Sequence, residues 1–390
     1  MSRERITSGD PLVQLFLELA RIPSPSGKER QVVDYIAGRL RDLGLETSEG
    51  EPPQAGEGAA GNLYCRIPGN SDGVPVLLSA HTDTVFADPK AVPEPLIRDG
   101  MIISGSRAVL GADDKAAVAA IIHGVETVVR EGLPHAGIEL MLTACEENGL
   151  RGAKMATMDG IVARCGFCLD STGPVGEVIV RSPSQKTIRA VFKGKSAHAG
   201  VAPEEGRSAV AAAAKAVAAM QLGRIDAETT ANIGIIKGGE AVNVVPDRCR
   251  IAGECRSHDR EKLERQVASM LDAINLCAAS DQVDVETTVI DEFHAFDLTG
   301  GNLPVELAVR ALNSIGIKPL LASTGGGSDV NEFNRKGLPS VNLSVGMEKV
   351  HTPDEYITLE SLSRAGRLVL AIVEQASLPG AGTVSTERRP

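Results

Sequence analysis

The sequence predicts an α/β protein: one domain with a mixed, mainly parallel sheet flanked by helices, plus an inserted ferredoxin-like (β-α-β-β-α-β) domain. Three observations carry this. Continuous apolar runs, such as 74–80 and 137–143, read as strands buried on both faces, and they alternate with long helical periodicities. Residues 184–291 have a different rhythm, one strand and helix, two strands, then helix and strand. The chain of 390 residues also exceeds what one core usually holds.

Taken in order, Leu12, Leu15, Phe16 and Leu19 recur at helical spacing, and the proline-rich stretch Ile22-Pro-Ser-Pro-Ser-Gly27 separates that helix from a second over 28–43. Residues 49–61, rich in Gly, Pro, Ala and Glu, form a loop before strands over 63–67 and 74–80. His81-Thr82-Asp83 closes the second of these, at the carboxyl end where an open parallel sheet presents its ligand crevice. Leu110-Gly-Ala-Asp113-Asp114 turns from a glycine loop into a helix reaching about Arg130, apolar on nearly all sides and therefore buried. Glu146 and Glu147 leave the strand over 137–143, Asp170 ends the strand over 166–171, and His351 follows the strand over 340–346. The inserted segment has strands over 187–193, 231–237, 247–256 and 283–290, with helices over 207–220 and 261–280. Segments 1–183 and 292–376 then make one discontinuous catalytic domain, 184–291 the lid, and 377–390 a polar, mobile tail.

Net charge of −11 without a basic stripe argues against nucleic acid and anionic membranes as partners. No apolar run is long enough to span a bilayer, and the first ten residues lack a signal-peptide apolar region, so the expected compartment is the cytoplasm. Seven scattered cysteines suit a reducing compartment, and Cys165-Gly-Phe-Cys168 has no partner pair that would make it a zinc finger.

His81, Asp83, Asp113, Asp114, Glu146, Glu147, Asp170 and His351 all stand at strand exits or a helix mouth. Singly, each such motif is more often a cap or a solvated surface pair; jointly they would repel severely unless a cation neutralised them. Mixed imidazole and carboxylate ligation suits zinc, with cobalt or manganese as substitutes. Two imidazoles and at least three carboxylates exceed what one open zinc site uses, so a pair of divalent metals sharing a bridging carboxylate fits better. Of two adjacent glutamates one can bind metal while the other takes a proton from the shared water, giving a metal-bound hydroxide aimed at an amide carbonyl.

Ser79-Ala-His81-Thr-Asp83, Gly111-Ala-Asp113-Asp-Lys115, Glu146-Glu147, Asp170-Ser171, Gly194-Lys-Ser-Ala-His198, Asn243-Val-Val-Pro-Asp247, Gly326-Gly-Ser-Asp329 and His351-Thr-Pro-Asp-Glu355 occur in the order of the M20 metallopeptidases. The set resembles most the peptidase T branch, over nearly the whole chain. The resemblance implies that His81 and Asp170 bind one zinc, Glu147 and His351 the other, and Asp113 bridges them, with a cis peptide after it. Glu146 matches the general base and Asp83 the carboxylate that orients His81. His198 matches the lid histidine that reaches the partner's site in homodimers formed through the lid, Asn243 and Arg256 match substrate-holding positions, and Gly326 lies in a loop offering backbone amides. Gly325 stands where tripeptidases carry an arginine that grips a peptide's carboxylate. The implied reaction is cleavage of short peptides, as an aminopeptidase; the alternative on the same scaffold is an N-acyl-amino-acid amidohydrolase or carboxypeptidase.

Overall fold

The computed structural model describes residues 7–85 and 91–382. Its packing separates two units, one of residues up to Val180 with Asp297–Ser323 and everything from Ser328, the other of Arg181–Phe296 with Thr324–Gly327. The second unit is a few residues wider at each end than 184–291. It also takes Thr324–Gly327, which the sequence places in the catalytic segment 292–376, and the boundary is corrected accordingly. The cause is local: the Thr324 N–H donates to Arg181 O at 3.0 Å, the Ser182 hydroxyl donates to Gly326 O at 2.8 Å, and Gly327 lies so close to the Phe293 ring that no Cβ would fit.

In the first unit the described residues form a nine-stranded sheet. Its four central strands, Ile138–Thr143, Val76–His81, Cys165–Ser171 and Ser340–Ser344, run parallel to one another. Antiparallel pairings flank them: Leu63–Ile67 with Ile138–Thr143 on one side, Ser340–Ser344 with Glu177–Ser182 on the other. Val76–His81 and Ile138–Thr143 are buried at every position, which is why they read as unbroken apolar runs. The helix Ala112–Glu131 packs against Pro11–Ala20 and Leu359–Ala376, and Gly124 lets the last of these approach so closely that an added Cβ would strike Val369. Burial on nearly all sides of that helix, from Ala116 to Ile122, anchors the segment that carries Asp113.

The second unit is a five-stranded sheet in the order Gly223–Arg224, Thr229–Gly238, Arg248–Ser257, Ser184–Lys193, Asp284–Phe293. All of its pairings are antiparallel. Alternate residues Ile188, Ala190 and Phe192, with Cys249, Ile251 and Cys255, make a core with the helices Ala209–Ala219 and Arg260–Ser280. Apart from the short Gly223–Arg224 strand, this is the β-α-β-β-α-β order of the ferredoxin-like fold.

Within the expected mobile tail, Ala381 is buried and its carbonyl accepts from Arg310 Nη2 at 2.9 Å, while 378–380 are exposed. Residues 383–390 lie outside the described residues. All the described cysteines are free, and burial pushes the Cys165 thiol up to about 12, so the Cys165/Cys168 pair is inert core. Among the described residues no helix is long and apolar enough to cross a membrane.

Candidate active site

The parallel strands deliver chemistry at their carboxyl ends. His81 is the last residue of its strand, Glu146 and Glu147 follow Ile138–Thr143, and Asp170 is next to last in Cys165–Ser171. Asp113 opens the helix Ala112–Glu131 at a non-helical residue and is joined to Asp114 by a cis peptide. His351 sits in the loop between the short paired strands Met347–Glu348 and Tyr356–Thr358.

Asp113 spans two imidazoles. Its Oδ1 is 3.1 Å from His81 Nε2 and its Oδ2 is 3.1 Å from His351 Nε2. On the first side Asp170 Oδ1 stands 3.8 Å from His81 Nε2, and on the second Glu147 Oε1 stands 3.0 Å from His351 Nε2. Asp114, behind them, accepts the His81 main-chain N–H at 3.1 Å, and His81, Asp114 and Asp170 also offer ligand atoms within 4.8 Å of one another.

These residues fit a pair of divalent cations. Glu147 Oε1 is buried without a hydrogen bond although His351 Nε2 is near, so the two atoms are close but not aligned as donor and acceptor, which is how two ligands of one ion stand. The donor set, imidazole nitrogens and carboxylate oxygens, is that of zinc and its neighbours in the first transition row. The electrostatics agree. Burial opposes charge on His81, yet Asp113 and Asp83 hold its pKa well above the usual value. Asp113 and Glu147 raise that of His351 to about 10. Positive charge is stabilised between these carboxylates.

Asp83 does more than the sequence suggests. The nearest acceptor for His81 Nδ1 is the Asp83 main-chain carbonyl at 2.9 Å, with the carboxylate Oδ1 behind it at 3.5 Å, so Asp83 faces His81 through both groups. With its proton on Nδ1, His81 leaves Nε2 to ligate. The Asp83 carboxylate also accepts the N–H groups of Glu146 at 2.9 Å and Glu147 at 3.2 Å, and the Ser26 hydroxyl at 2.6 Å. Burial, then Asp170, Asp329 and Glu147, push the Glu146 carboxyl well above the usual carboxylate range.

The substrate positions fall on the second unit. His198 and Asn243 are exposed on adjacent loops, joined by the Ala199 N–H donating to Asn243 O at 2.9 Å. Arg256 is forked onto Glu254, with Nε and Nη2 each 3.0 Å from its carboxylate, and donates from Nη1 to Gly325 O at 3.0 Å. The Gly326 N–H donates to Thr324 Oγ1 at 3.1 Å within a tight turn.

Three further buried acids accept hydrogen bonds around the site, in roles the sequence analysis did not assign. Glu355 accepts the N–H groups of Gly111 and Asp113 at 2.7 and 2.9 Å. Glu29 accepts those of Gly27 and Cys145 at 2.7 and 3.2 Å. Asp329 accepts from the Thr143 hydroxyl, and burial raises its carboxyl to about 6. Glu355 and Asp329 are the last residues of the quoted His351 and Gly326 motifs, which was their signal; Glu29 had none.

Residues 183–279 match the M20 peptidase dimerisation domain, and 62–226 match peptidase family M28. A Bacillus subtilis relative, the uncharacterized protein YqjE, is 38% identical over 94% of this chain and 98% of its own length. Among solved structures, the fold is similar to aminopeptidase PepT of Bacillus cereus, 42% identical with TM-score 0.85, and to a Staphylococcus aureus tripeptidase, 36% identical with TM-score 0.89; each comparison covers 94% of this chain and 98% of the other.

Proposed function

Because this chain belongs to the M20 peptidases, in their peptidase T-like branch, we propose that this metallopeptidase is an aminopeptidase of short peptides working through two divalent cations, zinc in the first place. His81 and Asp170 would hold one cation, His351 and Glu147 the other, and Asp113 would serve both. Such a pair supplies Lewis-acid polarisation of the scissile carbonyl and a water of lowered pKa.

The remaining chemistry falls to the chain's own groups. Glu146, whose carboxyl is pushed above the usual carboxylate range by burial and the neighbouring Asp170, takes a proton from the attacking water and passes it to the leaving amine. Asp83 fixes the main chain beneath Glu146, and so the direction of its carboxylate. His198 donates to the developing oxyanion, within a homodimer formed through the second unit, a reading supported by the match to a dimerisation domain. Asn243 and the Gly326 loop read the substrate's flanks. Arg256 has its charge matched by Glu254, so with Gly325 in place of an arginine the grip on a tripeptide's carboxylate is weak.

The observation that carries this reading is Asp113, with its two oxygens each 3.1 Å from a different imidazole. The test is the hydrolysis rate of one tripeptide in free, N-acetylated and C-amidated forms, with zinc and after chelation. Cleavage confined to substrates with a free amino terminus, and abolished by chelation, is expected. Preference for the acetylated form would make the enzyme an amidohydrolase or carboxypeptidase of the same family.

A further inference from the structure

Resting on the two-cation reading above, we propose that Glu355 is a positioning residue that builds the His351–Glu147 half of the centre, by tying the His351 loop to the chain that carries Asp113. The two imidazoles are held differently. His81 is 1% exposed, ends a buried strand and has its Nδ1 fixed by Asp83 O. The His351 side chain is 51% exposed, and both of its ion-pair contacts run through Nε2, so its place comes from its loop and not from packing. The loop itself adopts left-handed backbone at Lys349 and His351.

Glu355 anchors that loop. Its side chain is buried, with Oε2 accepting the Gly111 N–H at 2.7 Å and Oε1 the Asp113 N–H at 2.9 Å. Both donors belong to the mouth of the helix Ala112–Glu131, where main-chain N–H groups have no partner within the helix. Between His351 and Glu355 the chain is one compact turn: the Thr352 hydroxyl donates to Lys349 O at 2.7 Å, and the Glu355 N–H donates to Thr352 O at 3.1 Å. A displaced Glu355 therefore carries His351 with it. The distance from His351 Nε2 to Asp113 Oδ2 is set by this fork.

The experiment is cobalt(II) titration of the chelated full-length chain, followed by absorption and calorimetry, for wild type, Glu355→Gln and Glu355→Ala. His351→Ala run in parallel identifies the step that belongs to the His351–Glu147 half. Wild type is expected to take up two cobalt ions per chain. Glu355→Gln should keep the first step and weaken the second at least about tenfold. Glutamine has nearly the same shape but turns an amide N–H towards one of the two main-chain donors; a side chain needed only for packing would be rescued by it. Glu355→Ala should show the same loss with lower thermal stability, and if it fails to fold the glutamine variant decides. Two cobalt ions bound by Glu355→Gln at wild-type affinity would overturn the clamp alone. A wild type that binds one cobalt overturns the two-cation reading, and the clamp with it.

Discussion

Asp83 Oδ1 accepts the main-chain N–H of Glu146 at 2.9 Å, linking the exit of one central strand to the exit of its parallel neighbour. Through Oδ2 the same carboxylate reaches the Glu147 N–H, so one side chain sets the general-base candidate and a metal-ligand candidate together. Asp83→Asn puts an amide N–H against one of these donors. Metal affinity is expected to fall about 10–100-fold, and kcat/KM with it; calorimetric metal titration and initial rates check this, and unchanged affinity would refute the role.

Glu146→Gln removes the proton carrier and little else, since its burial among Asp170, Asp329 and Glu147 already disfavours the charged form. The variant should bind metal as wild type and melt at or above the wild-type temperature. Its kcat should drop by about 10²–10⁴. Retained turnover with full metal loading would remove Glu146 from the mechanism.

Lys115 is buried at the mouth of the long helix, donates to Ile22 O, and is pushed by burial down to about 7, against the pull of Glu355. A lysine depressed in the folded state costs stability below its folded pKa, and the cost is relieved as pH rises from there to the unfolded value. The stability difference between Lys115→Met and wild type should therefore favour the variant most below pH about 7 and shrink as pH approaches about 10. Urea unfolding at pH 6, 8 and 9.5 measures it, and a difference that does not change with pH counts against the buried amine.

Gly152 is the second residue of the short helix Arg151–Met155 after the glutamates, and a Cβ there would collide with Ala144 O and Asn62 Oδ1. Asn62 also donates to Gly152 O at 2.9 Å and accepts the Ala144 N–H at 3.1 Å, so the turn leading to Glu146 is braced at this point. Gly152→Ala should cost about 1–3 kcal/mol of stability, as overpacking does, and lower kcat more than Gly152 would if it were remote from the site. Chemical denaturation and steady-state rates read the two effects.

Much of this was local enough to be written in the chain. Strand exits can be located from apolar runs, because burial on both faces demands them, and His81, Glu146, Glu147 and Asp170 stand within a few residues of such exits. The helix carrying Asp113 was legible for the same reason, being apolar on nearly every side. The inserted antiparallel unit was legible through its order of elements. Thr324–Gly327 was not, because its four residues join the second unit through contacts with Arg181, Ser182 and Phe293, distant in sequence.

By itself, then, the sequence determined the kinds of group available and the edge of the sheet at which they gather, since residue type and periodicity are local properties. The tertiary structure alone decided which oxygen of Asp113 faces which imidazole, that the Asp83 carbonyl and not its carboxylate lies nearest His81, that Arg256 is spent on Glu254, and that Glu355 reaches across 242 positions to the Asp113 N–H. Those are matters of distance and direction to within an ångström, fixed by the packing of strands and helices far apart in the chain, and no spacing along the chain encodes them.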